Sequence, residues 1–217
     1  MSSTKAKSPP ETGCNSSSTL QAYSGALSKT LTDMIGQITV ITPYLSVSGC
    51  LPVNKQTILH ENYTAVICCM DGFEYEFPPD RVEYLHIKIT DTRETDLRPY
   101  FDTVCQLIEK HRSNSSDGGG RTLVFCAQGI SRSISFILAY LMKCEKMTLL
   151  DAFNMVRQRR RLACPNVGFF KQLIEIERQL HGRQTVRMIE PYKGFEVADI
   201  VWQCSGDMLK EFRRSSQ

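Results

Sequence analysis

The sequence predicts an α/β fold with a mostly parallel central sheet flanked by helices. Short apolar runs suited to strands alternate with longer segments of helical spacing, the pattern of a layered sheet-and-helix domain. The run 65–70 is continuously apolar, as a strand buried on both faces requires. A further strand signal at 123–125 leads through a short loop into a helical pattern beginning near Ser133.

Residues 1–33 are rich in Ser, Thr, Pro and Gly, with almost no large aliphatics before Leu27 and Leu31. A disordered lead-in is expected there, with order from near Ile35. The runs 38–41 and 44–47 flank Thr42-Pro43 and read as a hairpin. Residues 65–70 are the buried strand. Tyr84, Leu85, Ile87 and Ile89 form another strand ending at Asp91. Leu97, Tyr100, Phe101, Val104, Leu107 and Ile108 recur at helical spacing, and 113–120 is a polar loop. The strand 123–125 and a long helix from Ser133 to about Met147 come next. Thr148 is placed to cap a further helix, with Asp151 in the capping-box position. Asn166 precedes a last amphipathic helix carrying Phe169, Phe170, Leu173, Ile174, Glu177 and Leu180, stopped by Gly182. The expected division is a disordered segment 1–33, a folded domain 34–182, and an extension 183–217 packing on it through Val197, Ile200, Val201 and Trp202.

Composition narrows the classes. At 41% hydrophobic and 23% charged residues, the 217-residue chain is ordinary for a globular protein with a sizeable core. A net charge of +3 is too small to argue for nucleic acid. The nine cysteines are odd in number and scattered, without C-x-x-C pairs or Cys/His clusters. Neither a metal site nor a disulfide framework is expected, nor any cofactor. The missing pair also argues against a thiol redox protein. No apolar stretch reaches spanning length and no signal-peptide core is seen, so a cytoplasmic or nuclear location is expected and no membrane span.

The chemistry concentrates in Cys126-Ala127-Gln128-Gly129-Ile130-Ser131-Arg132-Ser133. Five small or turn-tolerant residues separate a cysteine from an arginine, between strand and helix. Such a loop curls until its backbone N–H groups, with those of the helix N-terminus, converge on one centre the size of a phosphate. Gly129 lets it turn without a Cβ in the way. Cys126 would lie at the floor, where the amides, the helix dipole and Arg132 favour thiolate over thiol. A thiolate facing phosphorus, with a forked guanidinium on the equatorial oxygens, is suited to taking phosphate off an ester. Ala127, Gln128, Gly129, Ile130, Ser131 and Arg132 are the expected phosphate-binding residues. The plainer alternative is a structural cysteine beside a helix-starting arginine.

From about residue 36 to 182 the chain resembles the cysteine-dependent dual-specificity protein phosphatases, whose signature is H-C-x5-R-S. Besides the loop, the likeness rests on Ile89-Thr90-Asp91-Thr92, on Ala139-Tyr140-Leu141-Met142-Lys143 and on Pro165-Asn166-Val167-Gly168-Phe169. The tail, with Gly182, Thr185-Val186, Met188, Gly194 and Asp199-Ile200, looks like the extension of an atypical subgroup lacking a separate kinase-docking domain. The resemblance implies a protein tyrosine phosphatase-like fold and a shallow pocket. It also implies metal-free hydrolysis of phosphotyrosine and of phosphoserine or phosphothreonine in protein substrates, with mitogen-activated protein kinases as candidate partners. One position departs from the signature: Phe125 stands where the family has histidine.

Roles follow from the chemistry. Cys126 is the expected nucleophile, passing through a phosphocysteine, and Arg132 with the amides from Ala127 to Ser133 holds the equatorial oxygens. Asp91 ends a predicted strand and matches the family's acid, so it is the expected general acid and later base, ahead of Asp96, Glu94 and Asp80. Ser133 is placed to hydrogen-bond the departing Cys126 sulfur. Asn166 either braces the phosphate loop or only caps a helix. Phe125 offers no donor to the loop carbonyls, so a looser loop and slower turnover are expected, with a catalytically weak or inactive phosphoprotein-binding pseudophosphatase as the alternative. Arg157, Arg159, Arg160 and Arg161 read as solvent-facing cations at a helix end, or as a site for a second phosphate centred on Arg160. Cys68 and Cys69 read as buried hydrophobes on a strand whose end approaches the site, where either thiol would be able to cap an oxidised Cys126.

Overall fold

The computed structural model describes residues 31–72, 74–113 and 119–204. Residues 1–30 of the expected lead-in, the middle of the 113–120 loop and residues 205–217 of the expected extension lie outside the described residues, while residues 31–35 are helical, so order begins before the expected Ile35. The chain divides into two units, Met1–Met34 and Ile35–Gln217, and the second carries the sheet and the site.

Strands β1 (Thr39–Thr42), β2 (Leu45–Ser48), β3 (Tyr63–Cys68), β4 (Glu83–His86) and β5 (Arg121–Phe125) form one sheet in the order β1-β2-β5-β3-β4. β1 and β2 are the antiparallel hairpin; every other neighbouring pair is parallel. The mostly parallel sheet read from the sequence is therefore present. Period-two alternation sends Ala65, Ile67 and Val124 to one face and Val66, Cys68, Leu123 and Phe125 to the other. Helices α2 (Arg98–Ser113), α3 (Arg132–Lys143), α4 (Leu149–Arg159) and α5 (Val167–His181) supply the first face's cover. The second face is covered by α1 (Lys55–His60) with Tyr75 and Phe77.

Helix α3 packs against α2, α4 and α5, and every residue from Ser133 to Met142 is buried. It therefore needs no polar face. It ends four residues short of Met147. Cys144 is the C-cap, Lys146 turns left-handed (φ 57°), and the Met147 amide returns to the Leu141 carbonyl at 3.1 Å, closing the helix end. The other caps read from the sequence are present. Thr148 Oγ1 accepts from the Asp151 amide, Asn166 Oδ1 accepts from the Phe169 amide, and Gly182 (φ 66°) terminates α5. Tyr100 and Leu180, expected on apolar stripes, are exposed.

The strand expected to run to Asp91 stops at His86. Its neighbour β3 ends at Cys68, whose carbonyl takes the last ladder bond from the Ile87 amide at 2.8 Å. Ile87 and Ile89 stay buried, so the alternation read correctly for burial outlives the backbone pairing.

Beyond α5, β6 (Met188–Tyr192) and β7 (Phe195–Ala198) pair as an antiparallel hairpin. Val186, Ala198 and Ile200 join the main core, while Trp202 packs edge-on against Tyr192 and Phe195 and is partly exposed. The buried Glu177 carboxylate accepts from the amides of Leu149 and Thr185 and from the Thr185 hydroxyl, tying the start of this segment to two helices.

Candidate active site

Parallel pairing aligns the carboxyl ends of β2, β3, β4 and β5 on one rim, with Ser48 and Cys68 both opposite Phe125 and His86 opposite Cys68. Such a rim is where open α/β sheets bind ligands. The chain leaves β5 at Phe125 and enters α3 at Arg132, so residues 126–131 must turn through the rim. Gly129 takes φ 67° there, and a Cβ on it would come within 2.6 Å of Arg160 Nη2 and closer still to the Ser48 backbone. Glycine is required on both counts.

The loop's carbonyls from Ala127 to Ser131 are each engaged by groups behind or beside the loop. Ala127 O accepts from the Cys50 amide at 3.2 Å and Ile130 O from the Cys164 amide at 2.8 Å. Gln128 O and Gly129 O accept from Arg160 at 2.9 and 2.6 Å. Ser131 O accepts from both the amide and the hydroxyl of Ser135. A peptide plane whose carbonyl is tied outward turns its N–H inward, which is how a nest is built.

Cys126 lies on the floor and is 1% exposed. Its Sγ accepts from the Gly129 amide at 3.2 Å and meets Ser133 Oγ at 3.3 Å. Arg132 reaches across the mouth and donates from Nη1 to Ile89 O at 3.2 Å. Its Nε is 3.3 Å from Asp91 Oδ2 but out of line for a hydrogen bond, so this buried N–H has no acceptor. An unsatisfied guanidinium donor in a buried site is costly unless an anion completes it. Asp91 Oδ1 accepts from Ser131 Oγ at 2.8 Å and from Asn166 Nδ2 at 2.9 Å. Asp91, Cys126 and Arg132 line a cavity of about 80 Å³ together with Ala127, Gln128, Ile130 and Ser131. A roomier cleft beside β4 is lined by residues such as Glu83, Tyr84, Gln106 and Lys110, with no cysteine among them.

The family described as dual specificity phosphatase, catalytic domain, matches residues 44–179. The chain belongs to the dual specificity phosphatase family. Its members are hydrolases that remove phosphate from protein side chains, and phosphorylated proteins are the substrate class. Human dual specificity protein phosphatase 14 is 37% identical over 161 residues, 73% of this chain and 78% of that protein. A Caenorhabditis elegans protein named uncharacterized protein ZK757.2 is 40% identical over 167 residues, 77% of this chain but only 54% of its own length. Among solved structures, human DUSP28 superposes with a TM-score of 0.59 at 26% identity, covering 66% of this chain and 94% of that one. The human tyrosine phosphatase-like serine/threonine/tyrosine-interacting protein gives 0.59 at 28% identity, covering 64% and 95%.

On this dual specificity phosphatase scaffold, Cys126, Arg132, Asp91, Ser133 and the loop residues Ala127 to Ser131 come together. Asp96 does not: three contacts with Arg98 hold it at the start of α2, and that guanidinium keeps its carboxyl below the usual range. Asn166 does more than either expected role. It caps α5, while its Nδ2 holds Asp91 and Thr92 O and its amide donates to Ser131 Oγ. Cys68 and Cys69 are buried beside the site, and burial pushes both thiols up, Cys69 further. Phe125 is fully buried, edge-on to Tyr75 at 5.1 Å in the second core cluster.

Both readings of Arg160 need correction. It neither faces solvent nor offers a surface for a second phosphate: it is 3% exposed and faces the back of the phosphate loop. Arg157 and Arg159 bond backbone carbonyls at 163 and 155. The sequence pattern marks a basic helix end, and no local signal separates the one arginine that turns inward. The sequence marks Ser131 only as a phosphate ligand, and no local signal announces its side-chain link to Asp91.

Proposed function

We propose that this site hydrolyses phosphotyrosine, and phosphoserine or phosphothreonine, in proteins through a phosphocysteine on Cys126. The observation that carries the reading is a single cavity lined by the Cys126 thiol and by Arg132, whose buried Nε is ion-paired with Asp91 but has no hydrogen-bond acceptor, at a loop whose carbonyls from Ala127 to Ser131 are each engaged. The amides and Arg132 bind the equatorial oxygens of the phosphate. A phosphate that engages Arg132 takes Asp91's place beside the guanidinium and leaves Oδ2 facing the ester oxygen. The Cys126 thiolate attacks phosphorus, a P–S bond forms, the P–O bond breaks, and Asp91 gives its proton to the leaving oxygen. Water then attacks the phosphocysteine, Asp91 takes a proton from it, and the P–S bond breaks. Ser133 Oγ, 3.3 Å from the sulfur, donates to the thiolate as it leaves.

Two finer proposals accompany this one. Mitogen-activated protein kinases are the substrates to assay first, on the family likeness alone. A cytoplasmic or nuclear location is supported by the cysteines, which are free at all eight described positions, as in a reducing compartment.

The test is a generic aryl phosphate assay on the full chain. Cys126→Ser should abolish turnover while leaving orthovanadate binding largely intact, because the nest and Arg132 remain. Turnover in Cys126→Ser equal to wild type would refute the nucleophile assignment.

A further inference from the structure

The family signature has a histidine before the cysteine, a side chain able to donate a hydrogen bond. Phe125 cannot do this, and its ring packs into an apolar cluster on the opposite face of the sheet from the main core. The loop is nevertheless fastened, and the side chain fastening it comes from the end of α4. Arg160 donates from Nε to Gly129 O at 2.6 Å and from Nη2 to Gln128 O at 2.9 Å. From Nη1 it donates to Gln37 O at 3.2 Å and Thr39 Oγ1 at 3.0 Å. The planar fork thus grips two successive loop carbonyls and anchors itself on the segment leading into β1.

We infer that Arg160 is the positioning residue of the phosphate loop, fixing the inward set of its amides and placing a buried positive charge behind Cys126 where this chain lacks the signature histidine.

Three features support it. Gly129, the one loop residue with positive φ, lets the Arg160 guanidinium approach so closely that a Cβ there would come within 2.6 Å of Nη2, as well as against the Ser48 backbone. A lysine has the charge but not the fork, and would reach at most one of the two carbonyls well. The two groups lie within electrostatic reach: burial lowers the Arg160 pKa, and the neighbouring Cys126 opposes that shift without cancelling it. The other ionisable groups around Cys126 are Arg132 with its partner Asp91 and the buried thiols of Cys68 and Cys69. Of the two cations, Arg132 faces the mouth and Arg160 the back. Removing Arg160 therefore disfavours the thiolate and loosens the amides, whereas a merely structural arginine would change stability alone.

The inference rests on the proposed role of Cys126, and the experiment separates the two. In the full chain, iodoacetamide alkylation at Cys126 is followed across pH by peptide mass spectrometry, and orthovanadate affinity is measured on the same samples. Arg160→Gln and Arg160→Lys are compared with Thr39→Val, a near-isosteric change that removes one anchor and keeps the charge. Thermal melts identify the folded variants. Arg160→Gln should move the alkylation midpoint up by about one pH unit and weaken orthovanadate about tenfold or more. Arg160→Lys should shift the midpoint less but lose similar affinity, and Thr39→Val should move both in the same direction by a smaller step. A folded Arg160 variant with wild-type alkylation and affinity overturns the inference. If neither Arg160 variant folds, an unchanged profile in Thr39→Val overturns it. Wild-type Cys126 that resists alkylation near neutral pH, unprotected by orthovanadate, sinks the nucleophile assignment instead.

Discussion

Between Cys126 and Arg132 the backbone is fixed carbonyl by carbonyl, from Cys50, Arg160, Cys164 and Ser135. On the opposite wall, the segment from Lys88 to Leu97 has lost its sheet ladder; besides the bonds from Ser131 and Arg132 of the loop, it is held by side chains of α5 and its cap. Asn166 holds Asp91 and Thr92, and Gln172 holds Thr95 O and the Leu97 amide. Gly168 lies against the Arg93 backbone so tightly that any Cβ would overlap it. The first wall is a backbone device whose shape is its function. The second delivers one carboxylate, and its position depends on a helix some seventy-five residues away in sequence. Damage to the loop should therefore cost binding and rate together. Damage to the acid wall should cost rate and spare binding.

The largest expected effect tests the loop. Arg132→Ala should lower kcat/KM by about a thousandfold or more and lose orthovanadate binding as well. Retained binding would mean the amides alone hold the anion, and that Arg132 is not part of the binding wall.

Asp91→Asn should cut kcat on phosphotyrosine peptides by about a hundredfold. The loss should shrink for aryl phosphates whose leaving group needs no proton, with orthovanadate affinity little changed. Asp96→Asn, removing a carboxylate committed to Arg98, should stay within about threefold of wild type on both substrates. Equal losses on the two substrate types in Asp91→Asn would move the acid elsewhere.

Asn166→Ala loosens the acid wall and leaves the acid itself in place. It should lower kcat about tenfold with KM nearly unchanged, and cost about 1 kcal/mol of stability through the lost cap, read in urea melts. Ser131→Ala removes the other ligand of Asp91 Oδ1 and should act in the same direction on kcat.

The smallest effect is expected from Phe125→His. The sequence alone leads one to expect a histidine there to tighten the loop and raise activity at neutral pH. The loop carbonyls from 127 to 130 are already engaged, and the ring site is apolar, so the alkylation midpoint should move by less than about half a pH unit. Burying the imidazole should cost roughly 1–3 kcal/mol unless it finds a partner. A full-unit shift would show that the loop still lacks a tether.

What the sequence made legible is local. Cys126, Arg132, Ser133 and the glycine turn lie within eight residues, and a strand followed by a helix can present them in few ways. The caps at Thr148, Asn166 and Gly182 and the alternating burial of β3 and β5 are short-range properties, and they too were readable. The identity of Asp91 was legible through its resemblance, but the strand expected to carry it ends at His86, because a strand persists only as long as its neighbour does. Tertiary structure alone decided which arginine of the 157–161 cluster turns inward, that Ser131 and Asn166 share Asp91, and that Phe125 lies in the second core. Each of those outcomes pairs groups at least thirty residues apart in the chain, and no local pattern encodes which polar group will find which. A buried guanidinium or hydroxyl takes the partners the packed fold leaves unsatisfied, and these exist only once sheet and helices have closed around them.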